Sequence, residues 1–354
     1  MSMFVAVIFA VLLFSVLIFV HELGHFMTAK LFGVQVNEFS MFMGPAIAKW
    51  KKGETLYTIR CIPFGGYCAM EGEDKDTDNP RSFQKAAWWK RLIILVAGSG
   101  MNFIAGILIM VLVFLPAQQF IVPTIANIEA GSLIGGEGGL QVGDTFLEID
   151  GEKIYVQSDF STILSLNPGE VHDIVVERNG EKVVLENFVM KTTIFGNEET
   201  PRYGFSFSVE DATFGSKLDY AWKNVLNAGR IVRLSLQMLF NGEAGVSDLT
   251  GPVGIMGQMS DMAEQSETWL DALLNMLYFG GFIAINLGIM NLLPIPALDG
   301  GRVFALLITT AIVKITGKSV NPKIEGYIHG VGMIILLAFM AFIMFKDVFM
   351  IFKG

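Results

Sequence analysis

The sequence predicts a polytopic α-helical membrane protein with four transmembrane helices and one inserted α+β domain. Three observations lead there. The 354 residues are 52% hydrophobic and only 17% charged, whereas soluble proteins carry about 25% charged residues. Four stretches, Met3 to Val20, Leu92 to Leu115, Ala272 to Leu298 and Gly326 to Phe345, contain no Asp, Glu, Lys or Arg; a helix needs about 20 apolar residues to cross the hydrocarbon layer. Between the second and third stretches lies a long acidic segment whose apolar and polar residues alternate in part as in half-buried strands.

The first stretch has no basic flank before it and no small-residue cleavage site, so it reads as a retained span rather than a signal peptide. The third carries Asn275, Asn286 and Asn291 and then Pro294 and Pro296. Its end cannot stay a regular helix, because each proline removes an N–H and clashes with the preceding turn. Broken backbone at membrane depth is tolerated only where protein or a polar cavity surrounds it. Basic residues crowd the link from Lys30 to Arg91 and the link from Arg302 to Lys323, and none precedes Met3. Both links are therefore expected in the cytoplasm, with the N-terminus, the segment 116–271 and the C-terminus outside. With 25 Lys+Arg against 34 Asp+Glu, the net charge of −9 offers nothing to neutralise phosphates, and no nucleic-acid partner is expected. Cys61 and Cys68 read as ordinary thiols. The acidic run Glu71 to Asp78 reads as a solvated loop.

The external segment divides near Asp211. Before that point, Thr145 to Ile149 runs into Asp150-Gly151, and Ile174 to Arg178 runs into Asn179-Gly180 and then Val183 to Leu185. Asp-Gly and Asn-Gly between apolar runs signal hairpins, since both central residues of a type I′ turn need positive φ. A short helix fits between them, from a cap at Ser158 or Asp159 through Phe160, Ile163 and Leu164. With Gly139 to Asp144 ahead of the strands, this order resembles a PDZ domain of the bacterial type, which would bind an extended chain end by adding it to a sheet edge. Gly131 to Gly139 would be the chain-end loop by analogy. The alternative is a small β domain that only spaces or shields the membrane part. His172 lies in this domain and is expected to be exposed. After Asp211, Leu218, Trp222, Val225, Gly229, Val232, Leu236 and Leu239 recur at helical spacing, with Lys217, Lys223, Arg230 and Arg233 on other faces. That pattern suits an amphipathic helix at the membrane surface or on the bundle.

The chemistry begins where the first span runs into His21-Glu22-Leu23-Gly24-His25. On a helix, residues four apart share a face one turn apart, so both imidazoles can ligate one Zn²⁺, and the neighbouring Glu22 can take a proton from an activated water. Three ionisable groups at the end of an apolar span are costly unless functional. A catalytic zinc takes a third protein ligand, for which Asp299, Glu325 and His329 are within reach of the membrane. Asp299 is preferred, because it falls at the depth of His25, follows the Pro294-Ile295-Pro296 break, and precedes Gly300-Gly301, whose backbone freedom could aim the carboxylate. His329 reads as a buried, hydrogen-bonded histidine.

His-Glu-Leu-Gly-His at the end of an N-terminal span, Asn291-Leu-Leu-Pro294-Ile-Pro296-Ala-Leu-Asp299-Gly300 near the end of a late one, and the PDZ-like insert between them resemble the site-2 protease family of intramembrane zinc metalloproteases. The likeness is greatest to the bacterial RseP/RasP branch in a form with a single PDZ domain, and it covers essentially the whole chain. It implies one Zn²⁺ per chain held by His21, His25 and Asp299, Glu22 as general base, and Asn291 in contact with the substrate backbone or oxyanion. It also implies a membrane-associated β-hairpin after the first span, matched by Ile59 to Met70, whose edge accepts the substrate as an added strand. Gly65, Gly66, Tyr67 and Pro296 are the corresponding substrate contacts. Gly98, Asn102 and Gly251-Pro252-Val253-Gly254 match further family positions, while Ser99 and Arg302 depart from them.

The domain expectation is residues 1–116 for the first two spans with the hairpin, 117–211 for the PDZ-like domain, 212–271 for the amphipathic helix and linker, and 272–354 for the last two spans. The resemblance implies a protease of the bacterial cytoplasmic membrane that cuts transmembrane segments after a first external cleavage. Its partners would be single-span substrates such as anti-sigma factors or signal-peptide remnants, peptide chain ends at the PDZ-like domain, and the lipid bilayer. Two rivals are a membrane adaptor with a PDZ-like peptide-binding domain and no protease activity, and a different membrane zincin such as a prenyl-protein protease. An intact Glu22 argues against the first, and the Asp299 motif disfavours the second, whose third ligand is normally a Glu.

Overall fold

The computed structural model describes residues 3–73, 77–135, 138–195, 200–243, 245, 250–317 and 322–353. In chain order the elements are α1 (Met3–Leu31), β1 (Val36–Lys52), β2 (Thr55–Met70), α2 (Trp88–Phe114), β3 (Gln119–Ile128), β4 (Thr145–Ile149), β5 (Glu152–Lys153), α3 (Gln157–Leu166), β6 (Val171–Arg178), β7 (Glu181–Val189) and β8 (Phe205–Asp211). Five helices follow: α4 (Phe214–Asn241), α5 (Pro252–Glu264), α6 (Trp269–Met290), α7 (Asp299–Thr316) and α8 (Pro322–Lys353). They form two compact units, residues 1–109 with 231–354, and residues 110–230.

Among the described residues, four helical stretches, Val5–Leu31, Trp88–Phe114, Trp269–Met290 and Gly326–Met350, are long and apolar enough to cross a membrane, and the chain is a polytopic membrane protein. In the first unit, Ala6, Ala10, Leu13 and Leu17 of α1 pack with Met259 and Ala263 of α5 and with Ala272, Met276, Ile283 and Ala284 of α6. Small residues let these helices approach closely where lipid supplies no hydrophobic drive between them. α1 continues unbroken through His21 and His25 to Leu31. The third span ends at Met290, with Asn291 as its C-cap, rather than running to Leu298, because Pro294 and Pro296 cannot continue it. Two helices in this unit, α5 and α7, were not expected; α7 occupies what reads in the sequence as a basic link.

The hairpin is longer than Ile59 to Met70 and includes all of β1. Glu38, Phe39, Ser40 and Met41 each have two cross-strand partners, Ala69, Cys68, Tyr67 and Gly66 on one flank and Leu56, Tyr57, Thr58 and Ile59 on the other. The ribbon thus doubles back on itself, turned by the positive φ of Gly44 and Gly65, and residues 66–70 form an outer strand. The acidic run after β2 is not simply solvated: Glu71 accepts from Asn37, and Glu73 pairs with Arg302 on α7. Residues 74–76 of that run lie outside the described residues.

In the second unit the sheet order is β7-β6-β4-β3-β8, with β5 paired to β4. Ile125, Phe146, Ile149, Phe160, Ile163, Ile174 and Val176 form its core. Asp150-Gly151 and Asn179-Gly180 both take the positive φ values that tight turns require. α3 begins at Gln157, one residue ahead of the expected cap, and the Asp159 carboxylate accepts from the N–H groups of Tyr155 and Val156 at 2.6 and 3.0 Å. His172 is buried, not exposed: its Nδ1 faces Asp150 Oδ2 at 2.7 Å and its Nε2 faces the Gly169 carbonyl at 2.9 Å. Both neighbours are acceptors, which is why a polar ring is tolerated there. Arg230 of α4 is also buried, paired with Asp159 at 2.7 Å. The half of α4 in this unit therefore buries Asn224, Asn227 and Arg230 and leaves Leu218 and Trp222 exposed.

Candidate metal centre

The site is built where α1, α2 and the start of α7 meet. Helical spacing sets His21 and His25 one above the other, with their Nε2 atoms 3.2 Å apart. Asp299 enters from α7: its Oδ2 lies 3.0 Å from His21 Nε2 and 3.4 Å from His25 Nε2. The expectation that Gly300-Gly301 aims this carboxylate through backbone freedom needs correcting, since neither glycine has positive φ. They serve close approach instead: a Cβ on Gly300 would fall 2.2 Å from the carbonyl oxygens of Leu292 and Leu293, and one on Gly301 would fall 2.3 Å from that of Ile295. The first turn of α7 is thus wrapped by the 291–296 loop, with Gly300 N–H donating to the Asn291 carbonyl at 2.7 Å.

α2 runs directly beneath the imidazoles. A Cβ on Gly98 would lie 2.3 Å from His25 Nε2 and 2.8 Å from His21 Cε1, so only glycine fits. His25 Nδ1–H donates to the Ile94 carbonyl at 2.8 Å, which leaves the Nε2 lone pair free. The buried Asn102 amide is 3.3 Å from His21 Nδ1, and its Oδ1 has no other partner. With the amide turned so that this oxygen faces the ring, His21 Nδ1–H is its donor and His21 Nε2 is freed in the same way. Asn291, the C-cap of α6, brings its Nδ2 to 3.5 Å from the same ring nitrogen.

The residues present fit a metal ion. His21, His25 and Asp299 are the described group of potential ligands whose donor atoms all lie within 4.8 Å of one another. Asp299 Oδ2 is buried with no hydrogen bond aligned on it. Three lone-pair atoms facing one another in a buried place call for a cation, and their separations of 3.0 to 3.4 Å match the roughly 3.3 Å edge of a tetrahedron whose ligands sit about 2.0–2.1 Å from zinc.

Glu22 sits beside this triangle and against the outer strand of the hairpin. A Cβ on Gly66 would be 3.4 Å from Glu22 Cγ and 3.4 Å from Ile18, and the Cys68 backbone lies close to the Glu22 carboxylate. Gly65 turns the chain with φ +78 against Met43. Tyr67 is drawn into a separate network, its hydroxyl accepting from Arg60 at 2.6 Å while Arg60 pairs with Glu38 at 2.8 Å. Burial first, and then the nearby Glu22 charge, push the Cys68 thiol up to about 12, so it is inert; Cys61 is exposed and free. Pro296 packs on α8, and His329 is half-buried, accepting the Ala297 N–H at 3.2 Å. The Glu325 side chain lies outside the described residues.

The Ile94 carbonyl, the bond from Ala297 to His329, and the Glu73–Arg302 pair were not foreseen. The first two use backbone atoms, which no side-chain pattern reveals. The third joins residues 229 positions apart.

Apolar spanning helices that carry a buried His-His-Asp triangle with a glutamate beside it define a membrane zinc metallopeptidase. The comparisons make the class specific. The model of peptidase family M50, the site-2 proteases, matches residues 9–339, and the chain belongs to that family. A protein of Clostridium acetobutylicum provisionally named a zinc metalloprotease is 34% identical over 348 residues, 98% of each chain. The zinc metalloprotease RasP of Shouchella clausii is 27% identical over 427 residues, 96% of this chain and 98% of that one. The chain is accordingly a metalloendopeptidase with Zn²⁺ as its cofactor.

Proposed function

We propose that this enzyme is an intramembrane endopeptidase that cleaves a peptide bond within or at the edge of a transmembrane segment, with His21, His25 and Asp299 holding zinc and Glu22 as general base. The observation that carries the proposal is the His21–His25–Asp299 triangle, assembled from two apolar-flanked elements with Glu22 adjoining it. When bound, zinc supplies Lewis acidity that polarises a carbonyl and lowers the pKa of water toward about 7. Glu22 accepts the proton of the attacking water and delivers it to the leaving amine. Asn102 and the Ile94 carbonyl fix the imidazole tautomers, so both Nε2 atoms stay available. Asn291, whose amide lies beside His21, orients the substrate backbone.

A helical substrate hides its carbonyls in its own hydrogen bonds. Cleavage therefore needs local unwinding, and pairing with the outer strand at residues 66–70 offsets the lost helical bonds. Support for this comes from the packing of Gly66 against Glu22, which sets that strand beside the proposed base. Pro296 and Gly65 to Tyr67 are the proposed substrate contacts. The strand–helix–strand unit around α3 is read as a PDZ-like domain outside the cytoplasm, taking peptide chain ends and admitting substrates already trimmed by a first external cut; the proposed setting is the bacterial cytoplasmic membrane.

The test is a reconstituted assay with a single-span substrate, offered both intact and trimmed on its outer side. Glu22→Gln should keep wild-type zinc content and lose at least about 100-fold in turnover, the scale of general-base catalysis. Turnover near wild type by that variant would remove Glu22 from the mechanism, and equal cleavage of both substrate forms would remove the gating role.

A further inference from the structure

Among the described residues, two of the five non-glycine residues with positive φ, Phe42 and Ala297, are neither Asp nor Asn. Asp and Asn tolerate the left-handed region through short polar side chains, whereas an alanine there is strained. Ala297, at φ +83, lies two residues before Asp299, in the loop that delivers the carboxylate to the imidazoles. Something must hold that conformation.

The holding contacts come from α8. The Ala297 N–H donates to His329 Nδ1 at 3.2 Å. One turn further along the same helix, Gly332 meets Pro296 so closely that a Cβ there would fall 2.4 Å from Pro296 Cβ and 3.0 Å from its carbonyl oxygen. Residues three apart share a helix face, so α8 applies one polar and one steric contact to adjacent residues of the loop. Elsewhere α8 is largely exposed, with Tyr327, Ile334, Ile335 and Leu337 all on its outer surface. The contact is therefore local to the loop rather than part of a broad interface. As an acceptor, Nδ1 carries no proton, which fixes the neutral ring with its hydrogen on Nε2.

From this we infer that His329 is a positioning residue for the metal centre: by accepting the Ala297 N–H it holds the left-handed backbone that sets Asp299 on the His21–His25 pair. The inference rests on the reading of Asp299 as a zinc ligand.

The experiment uses the full chain in detergent, stripped of metal, with zinc affinity read by competition against a chromophoric chelator and kcat and KM measured separately. His329→Leu should weaken zinc by about 10- to 100-fold, the range for losing an outer partner of a ligand, and lower kcat more than KM. His329→Asn keeps an acceptor at the Nδ1 position and should stay within a few-fold of wild type. Ala297→Gly removes the strain, so added to His329→Leu it should recover most of the lost affinity. A His329→Leu protein with wild-type zinc affinity, a His329→Asn protein as weak as the leucine variant, or a double variant no tighter than His329→Leu alone would each overturn the inference. Asp299→Asn, run alongside, keeps the two readings apart: unchanged zinc affinity there would sink the ligand assignment, whereas weakened affinity there with none in His329→Leu would sink only the role of His329.

Discussion

Replacing Gly98 by alanine is the most direct probe of the metal centre, because the helix tolerates the change and the site does not. The new Cβ would lie 2.3 Å from His25 Nε2 and 2.7 Å from its Cε1. Ordinary carbon contacts begin at about 3.5 Å, so the imidazole must retreat by about 1 Å. Ligand distances at a metal site are held within about 0.2 Å, and a displacement several times larger removes His25 from the set. Losing a ligand should weaken zinc by at least about 100-fold, which corresponds to about 2.7 kcal/mol. The substitution itself favours the helix by about 1 kcal/mol, so the expected protein is folded and metal-poor. Gly100, on the same helix with nothing within 4 Å of its added Cβ, is the control. Chelator competition on metal-stripped protein, with thermal unfolding alongside, gives the answer. A Gly98→Ala protein that binds zinc within about threefold of wild type would refute the close packing of α2 under the imidazoles.

Two further outcomes are expected. Asp299→Asn removes the charged member of the triangle and should cost about 100-fold in zinc affinity; elemental analysis after dialysis showing a full equivalent of zinc would move the third ligand elsewhere. Glu54 ties the hairpin turn to Arg81 and to Lys30 at the end of α1, with oxygen–nitrogen distances of 2.7 and 2.8 Å to Arg81 and 2.7 Å to Lys30. The bonds from Arg81, and then from Lys30, hold its carboxyl at about 2 against an ordinary 4.5. A depressed acid stabilises the fold fully above its unfolded value and loses that contribution as pH falls through its folded value. Glu54→Gln should therefore unfold at lower temperature than wild type at pH 7, with the gap closing between about pH 4.5 and pH 2; a gap unchanged across that range would show that the carboxylate charge is not what matters.

The parts of this protein that were legible in its sequence are those encoded locally. The His21–His25 spacing depends only on helical geometry, and the end of the third span on two prolines, so both could be read directly. Asp299 was reachable because the same prolines mark a break at membrane depth. The rest depends on long-range packing. α7 hides because Arg302 and Lys314 interrupt its hydropathy, although Arg302 is neutralised by Glu73 across the fold. His172 reads as exposed because it is polar, and Arg230 as lying on another face of an amphipathic helix, whereas each is buried against a carboxylate that only the folded chain supplies. Ala297 carries no sequence signal of its left-handed backbone, since glycine or asparagine is the usual marker. The doubled hairpin was half visible: the family resemblance placed an edge strand within Ile59 to Met70, but nothing local says that β1 is flanked on both sides.

The last helix is fastened at two points. His329 grips the loop before Asp299, the proposed metal ligand, and eighteen residues on, the buried Asp347 carboxylate accepts the Gly254 N–H at 2.9 Å at the start of α5. At 1.5 Å per residue that separation is about 27 Å, close to the roughly 30 Å hydrocarbon thickness of a bilayer. The fasteners thus behave like the two feet of a strut about five turns long, one of them level with the His-His-Asp triangle. In lipids with markedly shorter or longer acyl chains, the hydrophobic mismatch must be absorbed by tilting this strut or by deforming the bilayer around it.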